Sequence, residues 1–209
     1  MKPVTHKTNS WPNCLGCFLI IISPVIIASF LLRNTSPIAF HILLFASGWF
    51  AWTFSEYMLH RFWMHFSDKH NKKGITHSHL YHHHHPTEIR VNFFHRLMMA
   101  VIAASLIALS IILKNYFTFL TGFYFGLSGF FFMHYVLHQG WSRKIFSNLV
   151  SYHIYHHCKY PEHCFGISVT WWDRIFGTAP AKEAVIPQKI IDFYYNEENT
   201  HPSNSNSKF

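Results

Sequence analysis

The residues of this chain that can do chemistry are histidines, and their spacing carries the information. In SYHIYHHCKYPEHCFGIS, His153, His156 and His157 stand at i, i+3 and i+4, which places three imidazoles on one helix face. HSHLYHHHHP repeats that spacing. Within its histidine run only His79 has a histidine three ahead followed at once by another, so the register is His79, His82, His83. Two pairs accompany the triplets, His60 with His65 and His134 with His138. One metal takes about four to six ligands, so about ten imidazoles imply two ions. Buried without a metal, these rings would leave many donors and acceptors to satisfy at low dielectric. The isolated His41, His95, His163 and His201 read as satisfied interfacial side chains, and His77, His84 and His85 as interfacial groups or as groups supporting the ligands from outside.

Imidazole suits zinc, copper, iron and nickel alike, so spacing alone leaves the ion open. Position narrows it. A cage at the end of an apolar bundle meets a lipid chain on one side and a cytosolic reductant on the other. Oxidising an unactivated carbon–hydrogen bond needs a redox metal and dioxygen, which points to iron, with zinc able to occupy the same nitrogens. The histidines then serve as ligands and not as general bases, because a coordinated nitrogen has no available lone pair. Glu56 sits one turn before His60, where a carboxylate can orient an imidazole from behind or reach interfacial water. Asp173, in WDRIFGT, is placed to anchor the cap or to orient a ligand.

The elements that must position these groups follow from hydropathy. Half of the 209 residues are hydrophobic and 19% are aromatic. The apolar residues form blocks at Cys14 to Leu32, Ile38 to Leu59, Leu97 to Leu113 and Tyr116 to Met133. A span needs ~20 residues, so the predicted fold is an all-α integral membrane protein of four transmembrane helices with a cytosolic-face helical cap. The cap is expected from residues 60–92 and 139–180. Pro24 is placed to kink the first span, and Lys114 with Asn115 makes the last two an antiparallel hairpin. Leu127, Phe131, His134 and His138 recur at i, i+4, i+7 and i+11, so the apolar stripe of the last span runs into a histidine pair. WSRKIFSNLVSYHIYHH likewise leads Phe146, Leu149 and Val150 into its triplet, as an amphipathic interfacial helix does. His60 and His65 are the exception: five residues apart, they diverge by roughly 140° on a straight helix, so the helix must bend or the cage be wide. Phe123, Phe125 and Phe130 to Phe132 either wall an acyl path or pack against lipid. The expected organisation is a cytosolic arm over 1–13, a membrane-embedded catalytic domain over 14–180, and a partly disordered tail over 181–209.

A net charge of +8 raises nucleic acid as a partner, but the cations flank apolar blocks and form no patch interleaved with exposed aromatics, which excludes it. With both termini cytosolic, only Arg33 and Lys114 of the 17 basic residues face the other side, as the positive-inside rule requires. The site then lies on the cytosolic side, of the endoplasmic reticulum in a eukaryote or the inner membrane in a bacterium. Cys14 to Leu32 runs into Arg33 without a small-residue cleavage site and reads as a retained span. Cys14, Cys17, Cys158 and Cys164 are not expected to form disulfides on a reducing face. The chain carries no glycine-rich nucleotide fingerprint, so its reductant is expected to be external. Arg143, Lys144 and Lys159 can steer an acidic electron carrier, or serve lipid headgroups and topology.

In order, HRFWMH, HLYHH, HYVLH and HIYHH make the chain resemble the fatty acid hydroxylase and sterol desaturase superfamily of membrane non-haem diiron enzymes, over about residues 38–180. It looks most like the fatty acid 2-hydroxylase branch. His82 to Pro86 followed by Glu88 and Arg90, FGIS at Phe165 to Ser168, and WDRIFGT at Trp172 to Thr178 carry that likeness. The resemblance implies two irons, dioxygen as co-substrate, and hydroxylation at carbon 2 of a long acyl chain in a ceramide-like lipid. Some members carry a cytochrome b5 domain with a His-Pro-Gly-Gly loop. Here His85-Pro86 and His201-Pro202 lack the glycines, so a separate cytochrome b5-like or ferredoxin-like donor is expected. Desaturation, or oxidation of a sterol ring, is compatible with the same boxes. From other classes, a membrane metal-binding or transport protein would place polar ligands near mid-bilayer, and a docking protein would tolerate loss of the histidines.

Overall fold

A computed structural model describes residues 11–31, 36–65, 75–86, 93–113, 117–181 and 185–195. Residues 1–10 of the expected arm, residues 182–184 and 196–209 of the expected tail, Lys114 with Asn115, and Glu88 with Arg90 lie outside the described residues, whereas residues 11–13 begin the first helix and residues 188–195 of the tail form a helix. Among those described, every regular element is helical: α1 Trp11–Leu31, α2 Ile38–Met58, a π-helical turn Leu59–Met64, α3 Ile75–His84, α4 Phe93–Leu113, α5 Phe117–Leu137, a 3-10 turn Gly140–Lys144, α6 Ser147–Cys158, α7 Trp171–Ile175 and α8 Gln188–Tyr195. Ile38–Met64 and Phe117–Leu137 are long and apolar enough to cross a membrane, and Phe18–Ile27 and Leu97–Leu109 are shorter apolar stretches within α1 and α4. The chain divides into two compact units, one from Met1–Trp52 and Val91–Phe132, the other from Thr53–Arg90 and Met133–Phe209.

The first unit is built on close helix contact. Ile22 and Val25 of α1 share a core with Met99, Ala103 and Leu106 of α4 and with Phe117 and Tyr124 of α5. The Tyr124 hydroxyl donates to the Met99 carbonyl at 2.7 Å, so this buried polar group is satisfied. A Cβ at Gly48 would collide with the backbone carbonyl of Phe119, and one at Gly122 with that of Phe45. Glycine is therefore what lets α2 and α5 approach backbone to backbone. The phenylalanines of α5 pack inward: Phe123 meets Trp52 edge-on at 5.2 Å, and Phe132 stacks on Phe18 at 5.2 Å.

The second unit holds all ten paired and tripled histidines. Its scaffold is a loop over residues 163–179 gripped by two buried carboxylates. Asp173 accepts the backbone N–H groups of Phe165 at 2.8 Å and Gly166 at 2.9 Å, and the Thr178 hydroxyl at 2.7 Å. Glu56 accepts the N–H groups of Ile167 at 2.9 Å and Ser168 at 2.8 Å, and the Ser168 hydroxyl at 2.6 Å. The Cys164 N–H closes the loop on the Thr178 carbonyl at 2.9 Å and holds Cys164 at φ 61°, a left-handed conformation costly for a residue with a Cβ. Tyr57 braces the same loop, stacking on Phe176 at 5.2 Å and bonding the Thr178 hydroxyl at 2.9 Å, while Arg61 donates to the Tyr57 oxygen at 2.9 Å.

Candidate metal centre

The ten histidines fall into two nests of five. His60, His65, His79, His83 and His156 form the first, and His82, His134, His138, His153 and His157 the second; within each, the ligand atoms lie within 4.8 Å of one another. Each triplet is divided between the nests. On α3 the i, i+4 pair His79 and His83 faces the first nest and His82 the second; on α6 His153 and His157 face the second and His156 the first. The third element of each nest is a histidine pair at a helix end, His60 with His65 in the first and His134 with His138 in the second.

The π-turn resolves the awkward spacing of His60 and His65. Its i→i+5 hydrogen bonding brings residues five apart toward one face, as an α-helix does for residues four apart. Both rings thereby reach His79, whose Nε2 lies 3.0 Å from that of His60, 2.9 Å from that of His65 and 3.0 Å from that of His83. Nε2 of His65 lies 3.0 Å from that of His156. In the second nest, Nε2 of His82 is 3.2 Å from that of His134 and 3.1 Å from that of His138, and those of His138 and His153 are 2.8 Å apart.

Hydrogen bonding alone does not account for this convergence. A neutral imidazole offers one N–H and one lone pair, yet Nε2 of His79 faces three other nitrogens. Two tautomers are fixed from outside. Nδ1 of His60 donates to the Phe165 carbonyl at 2.6 Å, and Nδ1 of His156 to the His163 carbonyl at 2.7 Å, which leaves both Nε2 lone pairs directed into the nest. In the second nest neither nitrogen of the buried His157 has a hydrogen-bond partner among the described residues. A cation bound in each nest would satisfy these atoms. Two nitrogens about 2.1 Å from one ion and about 90° apart are about 3 Å from each other, the separation found here. Five imidazoles without a carboxylate suit a borderline transition metal better than calcium or magnesium.

Electrostatics agrees. Burial lowers His65 and His82 to about 4, and His83 to about 2 with help from neighbouring imidazoles. His79, His138, His153, His156 and His157 are likewise held well below the ordinary value, by burial first and nearby rings second. At neutral pH these rings are uncharged, the form that metal coordination requires.

Glu56 and Asp173 act on the loop that carries the Phe165 and His163 carbonyls. At 2% exposure Glu56 does not reach interfacial water. Gly166 is required there, since a Cβ would strike the Val169 carbonyl and the Asp173 carboxylate. Among the described residues, four histidines stand apart from the nests: His41 is buried with Nδ1 2.8 Å from the Thr118 hydroxyl but with Nε2 unpartnered among them, so it is only half satisfied, His85 stacks on Tyr81 at 4.1 Å, and His84 and His163 are exposed. The side chains of His77, His95 and His201 lie outside the described residues. One contact was not read from the sequence: Tyr194 of α8 stacks on His138 at 4.8 Å. Its signal was present, since Pro187 opens the segment and Ile190, Ile191, Tyr194 and Tyr195 recur at helical spacing.

A helical protein with apolar segments and paired all-imidazole nests is of the histidine-box, metal-binding class. The fatty acid hydroxylase family pattern matches residues 45–178, and the chain belongs to that family. Among its relatives, dihydroceramide fatty acyl 2-hydroxylase FAH2 of Arabidopsis thaliana is 33% identical over 68% of this chain and 62% of its own. Ceramide very long chain fatty acid hydroxylase SCS7 of Saccharomyces cerevisiae is 30% identical over 85% and 47%, and fatty acid 2-hydroxylase of Mus musculus 32% over 71% and 42%. The solved structure of full-length scs7p, with only its hydroxylase domain visible, superposes with a TM-score of 0.58 at 26% identity, covering 81% of this chain and 69% of that one. The chain thus spans about half the length of these curated relatives.

Proposed function

We propose that this protein hydroxylates carbon 2 of a long acyl chain in a ceramide-like lipid, using dioxygen and two iron ions held by His60, His65, His79, His83 and His156 and by His82, His134, His138, His153 and His157. The observation that carries the reading is the pair of five-imidazole nests in a chain of this family, and the names of its relatives support the acyl substrate and the carbon oxidised. Bound iron supplies the redox chemistry that breaks an unactivated carbon–hydrogen bond. The balance is R–H + O2 + two electrons + two protons to R–OH + water, with the electrons delivered by a separate cytochrome b5-like or ferredoxin-like protein. The chain's own residues present neutral nitrogen lone pairs, fix two rings through the Phe165 and His163 carbonyls, and bury His60, His79, His83, His153, His156 and His157 while leaving the other four half-buried. In this reading α1, α2, α4 and α5 are the membrane helices, each of 21 residues, about 31 Å at 1.5 Å per residue. The other helices form a cap on the cytosolic face.

Lipid analysis of cells expressing the wild type or His153→Ala tests the assignment. The expected result is 2-hydroxy acyl ceramide with the wild type and none with the variant. A new double bond or an oxidised sterol in its place overturns the reaction and leaves the metal centre standing.

A further inference from the structure

The residues that match the family end at 178, and α8 lies beyond them. Pro187 opens this helix, its carbonyl accepting the Ile190 N–H at 3.0 Å. Ile191 and Tyr194, three apart, are its buried residues, while Asp192 and Phe193 are exposed. Tyr194 is 1% exposed and lies against the second nest. Its ring stacks on the His138 imidazole at 4.8 Å and 20°, and stands edge-on to His157 at 5.6 Å and to His153 at 6.2 Å. Its hydroxyl is 3.5 Å from the Leu137 carbonyl, at the outer limit of a hydrogen bond, so the ring makes the contact that counts.

The two nests differ in how their rings are held. In the first, His60 and His156 are fixed by Nδ1–H donation to backbone carbonyls. In the second, no described residue partners Nδ1 of His138, His153 or His157. A metal-ligating imidazole normally has its outer nitrogen engaged, which sets the ring's orientation. Where that bond is missing, only packing restrains rotation about the Cβ–Cγ bond.

We propose that Tyr194 is a positioning residue of the second nest, its ring and not its hydroxyl holding His138 so that Nε2 stays 3.1 Å from that of His82 and 2.8 Å from that of His153. The C-terminal helix is then part of the metal centre. The inference rests on the two-metal reading above. It is tested on the full chain in detergent, by titrating the metal-free protein with cobalt(II), whose absorption reports imidazole coordination, and by counting tightly bound ions. The wild type and Tyr194→Phe are expected to bind two ions. Tyr194→Ala is expected to keep one and to bind the other at least about 10-fold more weakly. Two ions at wild-type affinity in Tyr194→Ala overturn the inference alone, as does loss of both ions together. Equal weakening in Tyr194→Phe also overturns it, because the hydroxyl would then be the agent. Fewer than two ions in the wild type overturns the two-metal reading and this inference with it.

Discussion

Glu56 and Asp173 show how a residue can serve a metal nest without entering it. Each carboxylate collects three donors, and the loop so fixed supplies the two carbonyls that orient His60 and His156. Replacing one carboxylate oxygen by an amide sets N–H against N–H, and a bond to a buried charge is worth about 1.5–3 kcal/mol. Asp173→Asn and Glu56→Gln are therefore expected to lower the unfolding midpoint and to weaken the first nest's ion before the second's, read by thermal unfolding and cobalt titration. Acid acts on the imidazoles. His65, His82 and His83 titrate near 6.5 when unfolded, but at about 4, about 4 and about 2 when folded, because burial disfavours the charge. Below pH 6.5 the unfolded chain therefore binds more protons than the folded one. Stability of the metal-free protein is expected to be full above that pH and to fall as pH drops toward 4, seen as a falling unfolding midpoint; a flat profile would contradict these shifts. The histidines themselves were legible because i, i+3, i+4 spacing is local. The carbonyls of Phe165 and His163 were not, since any residue carries a carbonyl and only the fold aims it.

Among elements, the α-helices follow the apolar blocks closely: expected spans at Ile38 to Leu59 and Tyr116 to Met133 correspond to α2 at Ile38–Met58 and α5 at Phe117–Leu137. Hydropathy reports which segments are continuously apolar and hence their length. It is silent on local winding, so the π-turn surfaced only as a mismatch between five-residue spacing and the α-helical repeat. The amphipathic segment before His153 divides into the 3-10 turn Gly140–Lys144 and α6 Ser147–Cys158, a break that periodicity does not reveal. Glycines of one helix separate two competing effects. Gly to Ala in a helix interior ordinarily stabilises by about 0.5–1 kcal/mol. Gly129→Ala, with nothing within 4 Å of the added methyl, should show that gain. Gly122→Ala meets a backbone carbonyl that cannot swing aside, so the sign reverses and the unfolding midpoint falls.

At the scale of the whole chain, the sequence shows two boxes of each kind but not how they are divided between the two nests. Pairing box with box along the chain would give one nest to each half. The structure instead crosses them, because neighbouring residues on a helix point about 100° apart. His82 and His83 are thus adjacent in sequence and belong to different nests. His83→Ala should weaken the first ion and His82→Ala the second, each by at least about 10-fold, with both weakened in the double variant. Competition against a coloured chelator would resolve one weak site in each single variant; the same site weakened in both would contradict the crossed arrangement.

That crossing has a consequence for the distance between the ions. Many paired-metal centres are spaced by a shared oxygen or carboxylate, whose bond lengths change with the metal. Here, among the described residues, both nests are composed of imidazoles, and α3 and α6 each reach into both. Under the proposed assignment the gap is measured off by the angular step of a peptide helix, a dimension indifferent to which element is bound. Exchanging iron for zinc or cobalt should therefore silence the chemistry while leaving the spacing of the pair unchanged.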